Sequence, residues 1–206
     1  MSTESKNYIL EKLPGNFGYL YSTEKLFVAN YKGKEFYIIN TPINIFEYEN
    51  MVKKIGLYEG GGNGQGSQCL LISQMYATDL TKGKVRTQSE FSNPNDSPAV
   101  YFHHNIMSED IEVVKAGLFN GIQNGHPMVL QVSAKNVDRH FVTVLGFTTD
   151  VKNSSQISED NIIVLDNAYG EIKILSETGR VFENDGGKYR VMGPTDKYLI
   201  QIASIK

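Results

Sequence analysis

One cysteine, six prolines and no tryptophan stand among 206 residues, and each scarcity narrows what the chain can be. A lone cysteine forms no internal disulfide, and two ligands from Cys69 and one histidine fall short of a thiolate-based zinc centre. No metal and no other cofactor is therefore expected. Long apolar runs are missing too: no stretch reaches the roughly 18 residues that a membrane-spanning helix needs. The opening residues, MSTESKNYILEKLPGN, lack the basic start and apolar centre of a secretory signal. The expectation is a chain that stays in the cytoplasm or leaves it without a Sec signal. An excess of positive charge is also absent, since 20 Lys and Arg face 23 Asp and Glu for a net charge of -3. No basic stripe is available to release counterions from a phosphate backbone, so nucleic acid is not an expected partner.

What is present suffices for a folded core. Hydrophobic residues make up 40% of the chain and charged ones 21%, with no long polar tract. Residues 1–206 read as one domain. Its first 58 residues hold short apolar runs, Leu26 to Asn30 and Glu35 to Asn40, joined by the hairpin chemistry of Tyr31-Lys32-Gly33-Lys34. They are either an integral N-terminal meander or a propeptide-like segment covering the rest, and their strand-forming content favours the meander.

Residues 59–206 form the expected catalytic core. The glycine-dense EGGGNGQGS of residues 59–67 is followed at once by Cys69, and apolar residues at 71, 72, 75 and 76 predict a buried helix from there. Lys82 to Ser97 reads as a polar crossing loop. Ser108, followed by Glu109 and Asp110, predicts the start of a second helix ending near Asn124-Gly125. Beyond it the pattern turns extended: Met128 to Val132, His140 to Phe147, Ile162 to Leu165, Ile172 to Leu175 and Tyr198 to Ala203. Helices first and consecutive strands after them predict an α+β domain with its helices on one face of a mainly antiparallel sheet.

Hydrolysis through a thiol needs a thiolate, a base that takes and returns a proton, and donors for the developing oxyanion. Cys69 would open a helix, where free N–H groups and the dipole favour a negative charge. On its own, a free cysteine is more often one more buried small hydrophobe. Three of the four histidines read as something other than a base: His103 and His104 have polar surroundings, and His126 precedes a proline in a turn. His140 heads a strand, which would hold an imidazole rigid yet reachable. The following strand, Asn161 to Asn167, ends in Asp166, an acid able to accept the imidazole N–H and fix its tautomer. Asn167 is the neutral alternative, and Asp166 also suits a plain turn residue. Adjacent residues of an extended segment face opposite ways, so only one of the two reaches the imidazole; the carboxylate is preferred, leaving Asn167 toward the turn.

Four segments carry a family resemblance: Gly64 to Ser73 around Cys69, Gly125-His126-Pro127-Met128-Val129-Leu130, Arg139 to Phe147, and Ile163 to Gly170 with Asp166-Asn167-Ala168-Tyr169-Gly170. In this order they resemble the papain-like cysteine peptidases of bacteria, nearest the bacteriocin-processing peptidases that act on double-glycine leaders. The resemblance spans residues 63–170. It implies a papain-like fold with N-terminal helices packed on the sheet, the triad Cys69, His140 and Asp166, and a peptide or protein substrate. Such families commonly carry a glutamine six residues before the cysteine, where this chain has Asn63. Asn63 and Gln65 are thus both candidates for the oxyanion hole, through their amide donors. A second departure is the polar insertion from Thr148 to Asp160, read as a surface loop. The same triad would equally serve a peptidoglycan amidase, a deamidase or a transglutaminase-type effector or toxin, and a cleft without chemistry would make a peptide-binding module.

Overall fold

A computed structural model describes residues 17–22, 24–61, 68–91, 104–134, 137–182 and 188–194. The first three strands are a meander, β1 (Phe17–Ser22), β2 (Leu26–Tyr31) and β3 (Lys34–Ile39), paired antiparallel in succession. The predicted hairpin is present: Lys32 (φ 51) and Gly33 (φ 81) both take the positive φ that a two-residue turn needs to match the twist of its strands. Helix α1 (Ile45–Ile55) follows, which the apolar runs had not suggested. Its signals are local all the same: the Asn44 side chain accepts from the N–H groups of Phe46 and Glu47, and Gly56 closes the other end.

Helix α2 (Cys69–Lys82) starts at the cysteine and is buried, as expected. Every residue from Ile72 to Leu80 is buried, so its polar side chains need partners. Thr78 donates back to the Gln74 carbonyl, and Asp79 takes a hydrogen bond from Tyr48 at 2.9 Å and another from Arg86 at 2.9 Å. The expected crossing loop contains a one-turn helix, α3 (Gln88–Phe91). Strand β4 (His104–Ser108) then leads into α4 (Ile111–Gln123), whose cap is Asp110 and not Ser108. The Ser108 hydroxyl instead accepts from the Asp110 N–H at 3.0 Å, and the Asp110 carboxylate accepts from Glu112 N–H at 2.9 Å. The Asp110 carboxylate, two residues later and next to the first turn, also brings a negative charge to the positive end of the helix.

The remaining strands are β5 (Met128–Ala134), β6 (Val137–Thr148), β7 (Ile162–Asp166), β8 (Glu171–Ile174), β9 (Arg180–Val181) and β10 (Tyr189–Gly193). The segment Tyr198 to Ala203, expected to be extended, lies outside the described residues. Every strand pairing described is antiparallel, in the order β1-β2-β3-β6-β5-β10-β4, with β7 and β8 branching from β6 and β9 from β5. The class is α+β with an antiparallel sheet. The stretch from Thr148 to Asp160 keeps its ends near the sheet by burying Val151 and Ile157 among short helical turns.

The helices do not share one face of the sheet. A Cβ built on Gly117 or Gly121 of α4 would run into Ile106, Val191 and Met128. Helix α2, in contrast, packs by Ala77 with Val129, Phe141 and Met192. Met128 and Val129, like Val191 and Met192, are neighbours along a strand and point to opposite faces. The two helices therefore sandwich β5, β6 and β10, because these central strands are apolar on both sides and each side needs a cover.

Strand β6 bends at Gly146, where its register with β7 shifts. A Cβ there would lie 2.0 Å from the carbonyl oxygen of Tyr37, which is backbone and cannot swing aside. We therefore expect Gly146→Ala to cost about 3 kcal/mol or more, as overpacking against backbone does. Gly33→Ala meets nothing within 4 Å and suffers only its positive φ, a loss of about 1 kcal/mol. Urea-unfolding midpoints of the two variants test that order.

Candidate active site

The site begins with a clasp between distant parts of the chain. The 57–61 segment is fastened to the turn after β7 by hydrogen bonds from Glu59 N–H to the Asn167 carbonyl (2.8 Å) and from Gly60 N–H to the Ala168 carbonyl (3.3 Å). The buried Tyr76 hydroxyl of α2 donates to the Leu57 carbonyl. These contacts bring Glu59 and the start of α2 to the end of β7, where Asp166 is the last strand residue.

Asn167 locks this meeting point. Its side-chain nitrogen lies within hydrogen-bond distance of the Cys69 carbonyl (2.8 Å), the Ser73 hydroxyl (2.6 Å) and the Phe141 carbonyl (2.7 Å), sharing its two N–H groups among these three acceptors and linking the end of β7, β6 and the first turn of α2. Two of these partners are carbonyl oxygens, so the amide nitrogen must be the atom facing them. Asn167 thus points into the packing between helix and sheet, not out toward the turn. Ser73 adds a bond from its hydroxyl to the Phe141 carbonyl, and Thr143 returns one to the Ser73 carbonyl, both at 3.0 Å.

The neighbouring residues of the same two strands face the other way. His140 and Asp166 come together, Nε2 to Oδ1 at 3.4 Å. His140 lies three residues inside β6, since that strand begins at Val137, but it ends the regular pairing with β5: the register shifts just beyond its partner Val132. Asp166 is 1% exposed, and its ionised form is supported from three sides. Arg180 of β9 donates to Oδ2, Ala168 N–H donates to Oδ1 at 3.0 Å, and His140 completes the set. Burial is the largest influence and pushes the carboxyl up, but the His140 hydrogen bond, the Arg180 charge and the Ala168 N–H together hold it below its ordinary value. Asp79 in α2 makes the contrast. Burial also leads there, and Arg86 and Tyr48 do not offset it, so that carboxyl ends above its ordinary value.

The other face of the imidazole meets the cysteine. Cys69 is partly exposed, and its sulfur, a His140 nitrogen and a Glu59 carboxylate oxygen all lie within 4.8 Å of one another. The Glu59 oxygen is 3.9 Å from Nδ1. For His140, burial is the largest influence and pushes the imidazole down; hydrogen bonds to Asp166 and Cys69 outweigh it, against the Arg180 charge, and the value ends raised. Cys69 is the first residue of α2, whose first-turn N–H groups have no partner within the helix, and Gln68 at the cap position does not bond them through its side chain.

The three residues singled out as a triad are therefore together. Asn63 and Gln65 lie outside the described residues, as does His103. His126 sits between α4 and β5, where burial first and the Lys25 charge second lower it, and His104 belongs to β4. Arg180 and Glu59 were not foreseen. Arg180 carries no local signal, whereas Glu59 opens the glycine run, whose composition hides it.

Two outcomes follow. Asn167→Ala should lower stability by about 2 kcal/mol, the cost of stranding buried partners, and loosen the start of α2; chemical denaturation with amide exchange in the first turn measures both. The second concerns pH. Because the folded His140 value is raised, the charged imidazole contributes stability that is complete below about pH 6.5 and is lost as pH rises through the folded value. The stability of the native chain relative to His140→Gln should accordingly be flat on the acid side of that interval, as long as Asp166 stays ionised, and fall across it, read from urea midpoints at a series of pH values.

No helix among the described residues is long and apolar enough to cross a membrane. No protein-family model, no curated protein and no solved structure matches the chain.

Proposed function

We propose that the protein is a papain-like thiol hydrolase, a cysteine peptidase that cleaves a peptide bond through a thioester on Cys69. The observation that carries this reading is the two-sided environment of His140: Nε2 on the Asp166 carboxylate, and the opposite edge toward the sulfur of a residue that opens a helix. An imidazole held at Nε2 keeps its other nitrogen for the thiol, so proton exchange with Cys69 needs no ring flip.

In this reading the Cys69 thiol gives its proton to His140, and the thiolate adds to the substrate carbonyl carbon. The oxyanion that forms is met by N–H groups at the start of α2. His140 returns the proton to the departing amine, the carbon–nitrogen bond breaks, and the acyl group remains on sulfur. Water then adds to the thioester while His140 takes its proton, and the acid leaves with Cys69 restored as thiol. Asp166 stabilises the imidazolium during both halves, and Arg180 keeps Asp166 ionised and in place. A peptide is the substrate class that the bacterial peptidase resemblance favours; an amidase or a deamidase would share every step and differ in the acyl donor and the amine or ammonia released, whereas a transglutaminase would pass the acyl group from the thioester to an amine instead of water.

The test is chemical. A thiol-directed alkylating agent should modify Cys69 in the native chain at neutral pH, and at least tenfold more slowly in folded His140→Ala. Cys69→Ala should stay folded and lose all turnover, followed by mass spectrometry of a peptide pool incubated with each variant. New peptide termini that require Cys69 support a peptidase, and unchanged termini with a glutamine converted to glutamate or joined to an amine support the acyl-transfer relatives. Equal alkylation with and without His140, together with no Cys69-dependent product, sinks the hydrolase reading.

A further inference from the structure

Glu59 has no part in the thiol chemistry, yet its backbone N–H is fastened to the Asn167 carbonyl and its carboxylate lies 3.9 Å from His140 Nδ1, beside the two groups that do. We propose that Glu59, Cys69 and His140 form a three-ligand site for zinc, in which a bound ion occupies the nucleophile and switches the thiol off.

The donor set is one thiolate sulfur, one imidazole nitrogen and one carboxylate oxygen, with all three atoms within 4.8 Å of one another. Tetrahedral zinc with bonds of about 2.0 to 2.3 Å places its ligands roughly 3.5 Å apart, so the group needs only a modest closing movement. His140 is buried and fixed, whereas Cys69 and Glu59 are each partly exposed and able to turn toward it. Thiolate and imidazole select zinc over magnesium and calcium, which prefer all-oxygen shells.

The orientation of the ring is the independent observation. A metal-binding histidine characteristically gives its second N–H to a carboxylate, which fixes the tautomer and aims the free lone pair at the ion. His140 has this arrangement, with Nε2 on Asp166 and the Nδ1 edge toward Glu59. Zinc would take the sulfur, Nδ1 and one Glu59 oxygen, leave a fourth position for water, and send the proton of the Cys69–His140 pair to solvent. Binding itself is independent of the hydrolase reading; its inhibitory consequence rests on that reading.

The experiment titrates metal-free full-length protein with zinc against a chromophoric zinc indicator, and repeats the titration with cobalt as a spectroscopic stand-in. One equivalent should bind, and cobalt should give a sulfur-to-metal charge-transfer band that is lost in Cys69→Ala. Glu59→Gln should weaken zinc, and Asp166→Asn should do so by about 10 to 100-fold, as loss of the residue that orients a ligand does. Should Asp166→Asn fail to fold, Glu59→Gln, at a partly exposed position, still decides the matter. Zinc held equally well by Cys69→Ala and Glu59→Gln, or no stoichiometric binding at all, overturns the site. Cys69-dependent hydrolysis that stoichiometric zinc does not inhibit overturns the switch while leaving the hydrolase standing. Zinc bound through these residues in a protein without hydrolytic activity upholds the site and removes the hydrolase reading instead.

Discussion

The buried amide of Asn167 ties together three pieces of chain that are otherwise far apart in sequence: the first turn of α2, the middle of β6 and the turn after β7. With no exposure to water, its nitrogen replaces hydration by bonds to the Cys69 and Phe141 carbonyls and the Ser73 hydroxyl. A polar group desolvated this way gains little for stability on average but is costly to leave unpaired, so the arrangement tolerates few alternatives. The position of Cys69 over the strand ends depends on it.

The two-residue repeat of a β-strand divides labour between neighbours. Phe141 and Asn167 point into the packing under α2 and hold it; His140 and Asp166, one residue earlier along each segment, point to the other side and meet each other near the Cys69 end of the helix. A slip of one residue in the pairing of β6 with β7 would exchange these sets, so register serves the packing and the site at once. Strand β6, with β5 and β10, carries apolar residues on both faces between α2 and α4, which makes it a rigid base for the imidazole.

Electrostatics in the site run as a chain, from Arg180 to Asp166 to His140 and on to Cys69 and Glu59. Each buried charge is offset by the next, which is the condition for keeping ionised groups away from water. The pair of Asp79 in α2 with Arg86 has a guanidinium on a buried carboxylate as well, but it ends on the Tyr48 hydroxyl and leads to no histidine or thiol. A buried ion pair is therefore not a mark of function by itself; what separates the two is the titratable histidine and partly exposed sulfur at the end of one of them.

Local patterns in the sequence determined the hairpin through Lys32 and Gly33, the start of α2 at Cys69 and the strands carrying His140 and Asp166. Each rests on turn chemistry or short-range periodicity, which act within a few residues. Only the tertiary structure decided that α2 and α4 cover opposite faces, that Asn167 reaches inward to the helix, and that Asp110 caps α4 in place of Ser108. It alone brought Arg180 onto Asp166 and Glu59 beside His140. Those outcomes depend on which face of a strand meets which helix and on bonds between residues far apart along the chain, and neither leaves a periodic trace in the sequence.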